Sequence, residues 1–176
     1  MRKKIFQNKN LTLEQISQIL WSAQGITSKR GFRSAPSAGA IYPIEIYYIS
    51  SDGLFHYVPQ GHKIVRMDPS GERLKDGDLR IQLCDAALGQ DFIETAGISI
   101  IICCDYDRII SRYSKRGIRY ADMEAGHIAQ NIQLQAVALG LGSVSVGAFS
   151  VDEVSKLLNL PRNRMPIYII PVGYIK

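Results

Sequence analysis

The sequence predicts one domain that mixes helices with an antiparallel sheet, and three observations carry the prediction. Three β-rich runs, Ile44 to Ile49, Leu54 to Val58 and Lys63 to Met67, are separated by the turn signals Ser51-Asp52-Gly53 and Pro59-Gln60-Gly61, which is the pattern of an antiparallel meander. Ile98 to Cys104 is almost purely apolar and β-branched, as a central strand covered on both faces reads. Tyr120 to Leu139 is the longest helical signal. Ala121, Ala125, Gly126, Ile128, Ala129, Ile132, Ala136, Val137 and Leu139 put small or apolar residues on more than one of its faces, so burial on several sides is expected, part of it by a partner subunit.

At 176 residues the chain is long enough for one core and short for two. Hydrophobic residues at 46% and charged residues at 21% exclude a disordered or fibrous chain. No apolar run approaches the roughly 20 residues of a membrane span. Met1-Arg2-Lys3-Lys4-Ile5-Phe6 leads into polar Gln7-Asn8-Lys9-Asn10 without a hydrophobic signal core, so a cytoplasmic location and no membrane partner are expected. The net charge of +5 gathers near the N-terminus, at Lys29, Arg30 and Arg33, and at Arg108, Arg112, Lys115, Arg116 and Arg119. That distribution lacks the aromatic interleaving of a nucleic-acid surface and favours a phosphate-bearing small molecule. Cys84 and the adjacent Cys103 and Cys104 fit neither a disulfide framework nor a zinc spacing; buried thiols, the adjacent pair on opposite faces of a strand, are expected.

Along the chain, Thr12 with Gln15 three residues on forms a capping-box pattern, and Leu13, Ile16, Ile19, Leu20 and Ala23 follow at helical spacing until Gly25 closes the helix. Trp21 is expected to fill core. A helix from about Asp78 to Leu88 buries Leu79, Leu83, Ala86 and Ala87. Asp105 to Arg119 reads as a short helix and an exposed loop. His56 and His62 stand without partners at metal spacing, and Glu124 with His127 is read as a hydrogen-bonded structural pair ahead of half a metal motif, so no metal site is expected. In Leu139-Gly140-Leu141-Gly142-Ser143-Val144-Ser145-Val146-Gly147-Ala148-Phe149 the glycines follow a helix and open a strand, the reverse of a dinucleotide fingerprint. Gly140 is expected to be the left-handed residue that ends the long helix, and Val144 and Val146 to be strand. Asp152 to Leu158 is a short helix, Pro161 a turn, and Ile167 to Val172 the last strand.

The chemistry is expected in Arg33-Ser34-Ala35-Pro36-Ser37-Ala38-Gly39-Ala40-Ile41-Tyr42-Pro43. Pro36 and Gly39 shape a turn, small side chains let backbone approach a ligand, Ser37 offers a hydroxyl, and Arg33 offers a planar fork for phosphate or carboxylate.

Together, Ser22-Ala23-Gln24-Gly25, Arg33 to Pro43, Glu124-Ala125-Gly126-His127-Ile128-Ala129-Gln130-Asn131 and Gly140 to Phe149 resemble the nitroreductase family of flavoproteins, and within it the SagB-type dehydrogenase branch. The resemblance runs from about Lys4 to Tyr174. It implies an α+β fold, a mostly antiparallel sheet flanked by helices, and a homodimer with FMN at the subunit interface. Ala35, Pro36, Ser37, Ala38 and Gly39 match the motif against the flavin ring, which the partner subunit contributes in many members. Ser145, Val146, Gly147 and Ala148 match the strand end whose backbone approaches flavin N5 and O4, with Gly147 and Ala148 expected to be buried. Lys4 matches the last basic position of the phosphate-gripping N-terminal pattern, Arg2 falls where serine is common, and Lys176 stands for the distal basic clamp, with Arg33 compensating. Ala40 and Tyr42 follow the SagB branch.

The activity so implied is ping-pong hydride transfer from NAD(P)H through flavin N5 to a nitroaromatic, quinone or similar small-molecule acceptor, with Tyr42, Arg119 and Tyr120 lining the pocket. Two alternatives stay open at this point: a SagB-type azoline dehydrogenase acting on a peptide, with a base from the Tyr113 to Tyr120 region, and a non-catalytic FMN-binding protein.

Overall fold

Strand β4 (Ile98–Asp105) is the axis of the structure, a computed structural model that describes residues 5–67 and 78–176. All eight of its residues are buried. The β-branched run predicted from Ile98 to Cys104 therefore is the central strand. It pairs with β1 (Ile44–Ser50) on one side and β6 (Arg164–Gly173) on the other. Beyond β1 lie β2 (Gly53–Val58) and β3 (Lys63–Met67), and beyond β6 lies the two-residue β5 (Gly142–Ser143). The order is β3-β2-β1-β4-β6-β5 and every pairing is antiparallel, so the expected meander forms one half of the sheet.

Alternation along β4 divides the interior in two. Ile98, Ile100, Ile102 and Cys104 face helices α1 (Leu13–Gln24) and α5 (Arg116–Ala138), whereas Ile101 and Cys103 face α2 (Arg80–Ala86), α3 (Phe92–Thr95) and α6 (Val151–Leu157). The adjacent cysteines thus point to opposite layers, as their spacing required, and all three thiols are buried and unpaired. The ladder to β6 shifts register between Ile102 and Cys103, where Pro166 enters the strand. Proline has no N–H to give the ladder, and an irregularity is where a strand tolerates it.

The capping box is complete. The Gln15 N–H donates to Thr12 Oγ1 at 3.2 Å and the Thr12 N–H donates to Gln15 Oε1 at 2.9 Å. Gly140, at φ +71°, takes the left-handed conformation expected after α5. Several expectations are corrected. Trp21 is 42% exposed and not core, because α1 turns Ile19, Leu20 and Ala23 inward instead. The segment from Asp105 folds as α4 (Tyr106–Tyr113), and α5 begins at Arg116, before the expected Tyr120. In place of a long loop, a two-residue exposed turn, Ser114 at φ +51° and Lys115, separates them. Val144 lies outside any strand, and Val146 makes only an isolated bridge to Ile169. Among the described residues, no helix is long and apolar enough to cross a membrane.

Thr12→Ala should lower the stability of the fold by about 1 kcal/mol, because it leaves a first-turn N–H without its acceptor. Thr12→Ser should recover most of the loss, measured as the midpoint of urea unfolding.

Candidate functional site

The turn expected to carry the chemistry is strained. Ser37 is extended, Ala38–Ala40 make one 3-10 turn, and Gly39, Ala40 and Tyr42 have φ of +60°, +53° and +53°. Glycine suits that region, whereas alanine and tyrosine adopt it only when their surroundings impose it. A Cβ on Gly39 would also lie 2.7 Å from the Tyr113 hydroxyl, which would have to shift to admit it. What holds the rest is a set of hydrogen bonds to Tyr42. Its N–H donates to Ser37 Oγ at 2.9 Å, and its carbonyl accepts from Arg108 Nη1 at 2.9 Å. Its hydroxyl accepts from the Arg33 N–H at 3.1 Å, and the Arg33 guanidinium lies 4.5 Å from the centre of its ring.

These bonds continue into the helices. Arg33 Nη1 donates to Gln24 Oε1 at 2.9 Å, and Gln24 Nε2 donates to Glu124 Oε1 at 3.4 Å. Asn131 Nδ2 reaches the Ser34 carbonyl at 3.4 Å. Glu124 is only 1% exposed, and its Oε2 has no hydrogen-bond partner among the described residues. Burial pushes its pKa up to about 7, against the opposing pull of the Ser37 hydroxyl, the Gln24 amide and the charges of Arg33 and Arg108.

Arg108 links the turn to a second cluster. Its Nη2 donates to Glu45 Oε1 at 2.9 Å, His56 Nε2 lies 3.0 Å from Glu45 Oε2, and Arg164 Nη1 donates to the Tyr47 hydroxyl at 2.6 Å. Burial alone would raise the Glu45 pKa, but hydrogen bonds from His56 and Arg108 and the charges of Arg164 and Arg108 bring it down to about 2. His56 therefore has the carboxylate neighbour that its sequence surroundings did not show. His62 sits between Ser17 and Tyr57, at 2.7 and 2.9 Å.

The second predicted segment is open. Gly147 and Ala148 are exposed, not buried as expected, because in this chain nothing covers them. A Cβ built at Gly147 would meet only Tyr168, at 3.9 Å. Among the described residues no acceptor takes the Gly147 or Ala148 N–H, while Gln90 Nε2 fixes the Ala148 carbonyl at 2.9 Å. Ser145 is tied to α5 by Gln133 Nε2 at 3.2 Å. Asn131 and Gln133 are two residues apart, hence about 200° apart around the helix axis. The turn and the 145–148 segment accordingly attach to opposite flanks of α5.

The termini meet. Phe6 bridges Ile175, and the Lys176 N–H donates to the Ile5 carbonyl at 3.1 Å, which places Lys176 beside the start of the described chain. Arg2 and Lys4 lie outside the described residues. Tyr120 is half-buried and edge-on to Tyr113, with ring centres 5.2 Å apart, and Arg119 is exposed. The expected pairing of Glu124 with His127 does not form: Glu124 turns inward to Gln24, whereas His127 is exposed. No group of metal-ligating side chains exists among the described residues. Arg108 and Gln24 were missed as determinants of the turn, since neither lies within eight residues of it in sequence.

The model of the nitroreductase family matches residues 3–174, and the chain belongs to that family. It is 44% identical to a provisionally named nitroreductase of Methanocaldococcus jannaschii over 93% of this chain and 81% of the relative. It is 28% identical to the NADPH-flavin oxidoreductase of Vibrio harveyi over 58% of this chain and 46% of the relative. The crystal structure of a provisionally named nitroreductase from Ralstonia eutropha superposes with a TM-score of 0.84 at 25% identity, covering 100% of this chain and 79% of the other.

The Glu124 carboxyl ionises near pH 7 in the fold and near its ordinary 4.5 in the unfolded chain, so the unfolded chain releases the proton first as pH rises. Stability is therefore lost between about pH 4.5 and pH 7, by roughly 3 kcal/mol at about 1.4 kcal/mol per unit. Glu124→Gln should match the native protein in thermal midpoint near pH 5 and exceed it at pH 8. A variant less stable than the native protein at pH 8 would show that the ionised carboxylate is wanted.

Proposed function

We propose that this protein is an NAD(P)H-dependent FMN oxidoreductase whose site is assembled between two copies of the chain. The observation that carries the reading is the separation of the strained turn and the free Gly147 and Ala148 amides onto opposite flanks of α5, so that one chain offers two half-sites facing outward. The helix also presents Leu134 and Val137, 61% and 72% exposed, with Met123 and Ile118 nearer its start. Such a face is expected to be covered by a second copy.

The residues fit the cofactor. FMN, when bound, supplies the carrier that accepts two electrons and passes them on. The chain's share is positioning and electrostatics. Gly147 and Ala148 would leave room for a flat ring, and their N–H groups, without an acceptor among the described residues, would stabilise negative charge developing on it. Gly39 and Ala40 form a small-residue wall, with the Tyr113 hydroxyl and the Arg112 guanidinium close to Gly39. Arg33 beside the turn and Lys176, together with Arg2 and Lys4 of the sequence, would supply cations for a phosphate. Tyr42 is fixed by four contacts and supports the wall, while Arg119 and Tyr120 border the space where an acceptor would lie.

A peptide dehydrogenase keeps one observation in its favour: the Tyr113 hydroxyl reaches the turn at Gly39 and Tyr113 stacks edge-on to Tyr120, which places two phenols beside the wall. Reduction separates the readings. Purified protein should be yellow or take up added FMN, elute from gel filtration as a dimer, and be bleached anaerobically by NADPH or NADH. Flavin that stays oxidised under excess NAD(P)H would sink the reductase reading, and a colourless protein that takes up no FMN would sink both.

Gly147→Val places a side chain in open space within the chain, so it should leave the thermal midpoint of the apoprotein nearly unchanged. It should weaken FMN binding tenfold or more, followed by quenching of flavin fluorescence.

A further inference from the structure

Glu124 is the one deeply buried carboxyl whose second oxygen the structure leaves without a partner among the described residues. A carboxylate in such a place is costly unless it is neutralised. Its surroundings supply limited compensation. Helix α1 offers the Gln24 amide, the turn offers the Ser37 hydroxyl and the Arg33 guanidinium, and α4 offers Arg108. From β4 comes the Cys104 thiol, its pKa pushed up to about 12 by burial and then by the charges of Glu124, Asp122 and Asp105. Asp122, on α5 itself, accepts from the Tyr106 hydroxyl at 2.8 Å. Only Arg33 and Arg108 bring positive charge. Arg108 is committed to Glu45 at 2.9 Å, and Arg33 also feels Glu45. Both guanidinium groups are half-buried beside the turn, not enclosed with the carboxyl.

We propose that seating an anionic ligand on the turn is coupled to protonation of Glu124, which makes this residue the proton-linked positioning group of the site. The step is a simple transfer: a buffer acid gives up a proton to become its conjugate base, and an O–H bond forms on the Glu124 carboxylate. The proposal rests on the FMN reading above, with FMN as the anion. Three effects act in one direction. The anion draws the Arg33 charge toward itself, its own charge opposes that of the carboxylate, and its bulk removes water from the open side of the turn. Each disfavours ionised Glu124. Because burial already holds the carboxyl's pKa up at about 7, a further rise on binding appears as proton uptake near pH 7.5. The neutral acid then gives Oε2 a hydroxyl in place of an unpaired charge, and the Arg33–Gln24 contact need no longer serve a buried anion.

The test is titration calorimetry of FMN into the protein at pH 7.5 in several buffers of differing ionisation enthalpy. The slope of observed enthalpy against buffer ionisation enthalpy counts protons taken up. The native protein should show a clear positive slope, and Glu124→Gln should bind FMN with the slope reduced at least threefold. The phosphate of FMN is almost fully ionised at this pH and contributes equally to both proteins. Zero slope in the native protein, or the same slope in both, overturns the proposal while leaving the cofactor reading intact. Absence of any binding heat or colour change overturns the cofactor reading and the proposal with it. Should Glu124→Gln not fold, the infrared difference spectrum of the native protein on adding FMN decides: a gained protonated-carboxyl band is expected, and its absence counts against the coupling.

Discussion

A chain of contacts braces the turn from Arg33 to Tyr42, and the candidate site depends on it. Glu124 accepts from Gln24, Gln24 accepts from Arg33, Arg33 reaches the hydroxyl and the ring of Tyr42, and the Tyr42 N–H donates to the Ser37 hydroxyl. Two non-glycine residues sit at positive φ within this braced segment. Backbone in that region costs of order 1 kcal/mol or more per residue, and it persists only where several contacts agree. Here Arg108 adds another by gripping the Tyr42 carbonyl from α4. The result is a backbone wall whose shape comes from buried polar side chains and not from its own sequence preferences.

Helix α5 gives the site its plan. It carries Glu124 and Asn131 toward the turn and Gln133 toward Ser145, so one helix supports both candidate segments while keeping them apart. The wide spread of small and apolar residues along it, legible as burial on more than one side, resolves into Ala121, Ala125, Ile128, Ile132 and Ala136 against the sheet and Leu134 and Val137 outward. The inward set is what a single chain needs to fold. The outward set is exposed in a single chain, where the proposed second copy would cover it.

Strong local signals survived into the structure. The Thr12–Gln15 box, the turn residues of the meander, the isoleucine-rich run of β4 and the glycine after α5 each act over a few residues, and each formed where the sequence placed it. Signals that depended on what packs nearby did not. Trp21 is large and apolar yet faces out, because the helical phase that buries Ile19 and Ala23 turns it away. Glu124 and His127 have spacing that suits a pair, but the pull of Gln24 from a hundred residues earlier decides the carboxylate's direction. Val144 is β-branched and still not strand, because β5 stops after two residues.

The sequence by itself determined the α+β class, the sheet's central strand, the identity of the small-residue turn and its likeness to the nitroreductase family, since these rest on periodicity, turn chemistry and contiguous motifs. Only the tertiary structure decided what the turn is made to do. Gln24, Arg33, Ser37, Tyr42, Arg108 and Glu124 come from four elements, and their distances and burial arise when the sheet brings those elements together. Charge and solvation at such a meeting point depend on three-dimensional neighbours, so a glutamate ordinary in sequence becomes a buried carboxyl that titrates near neutrality.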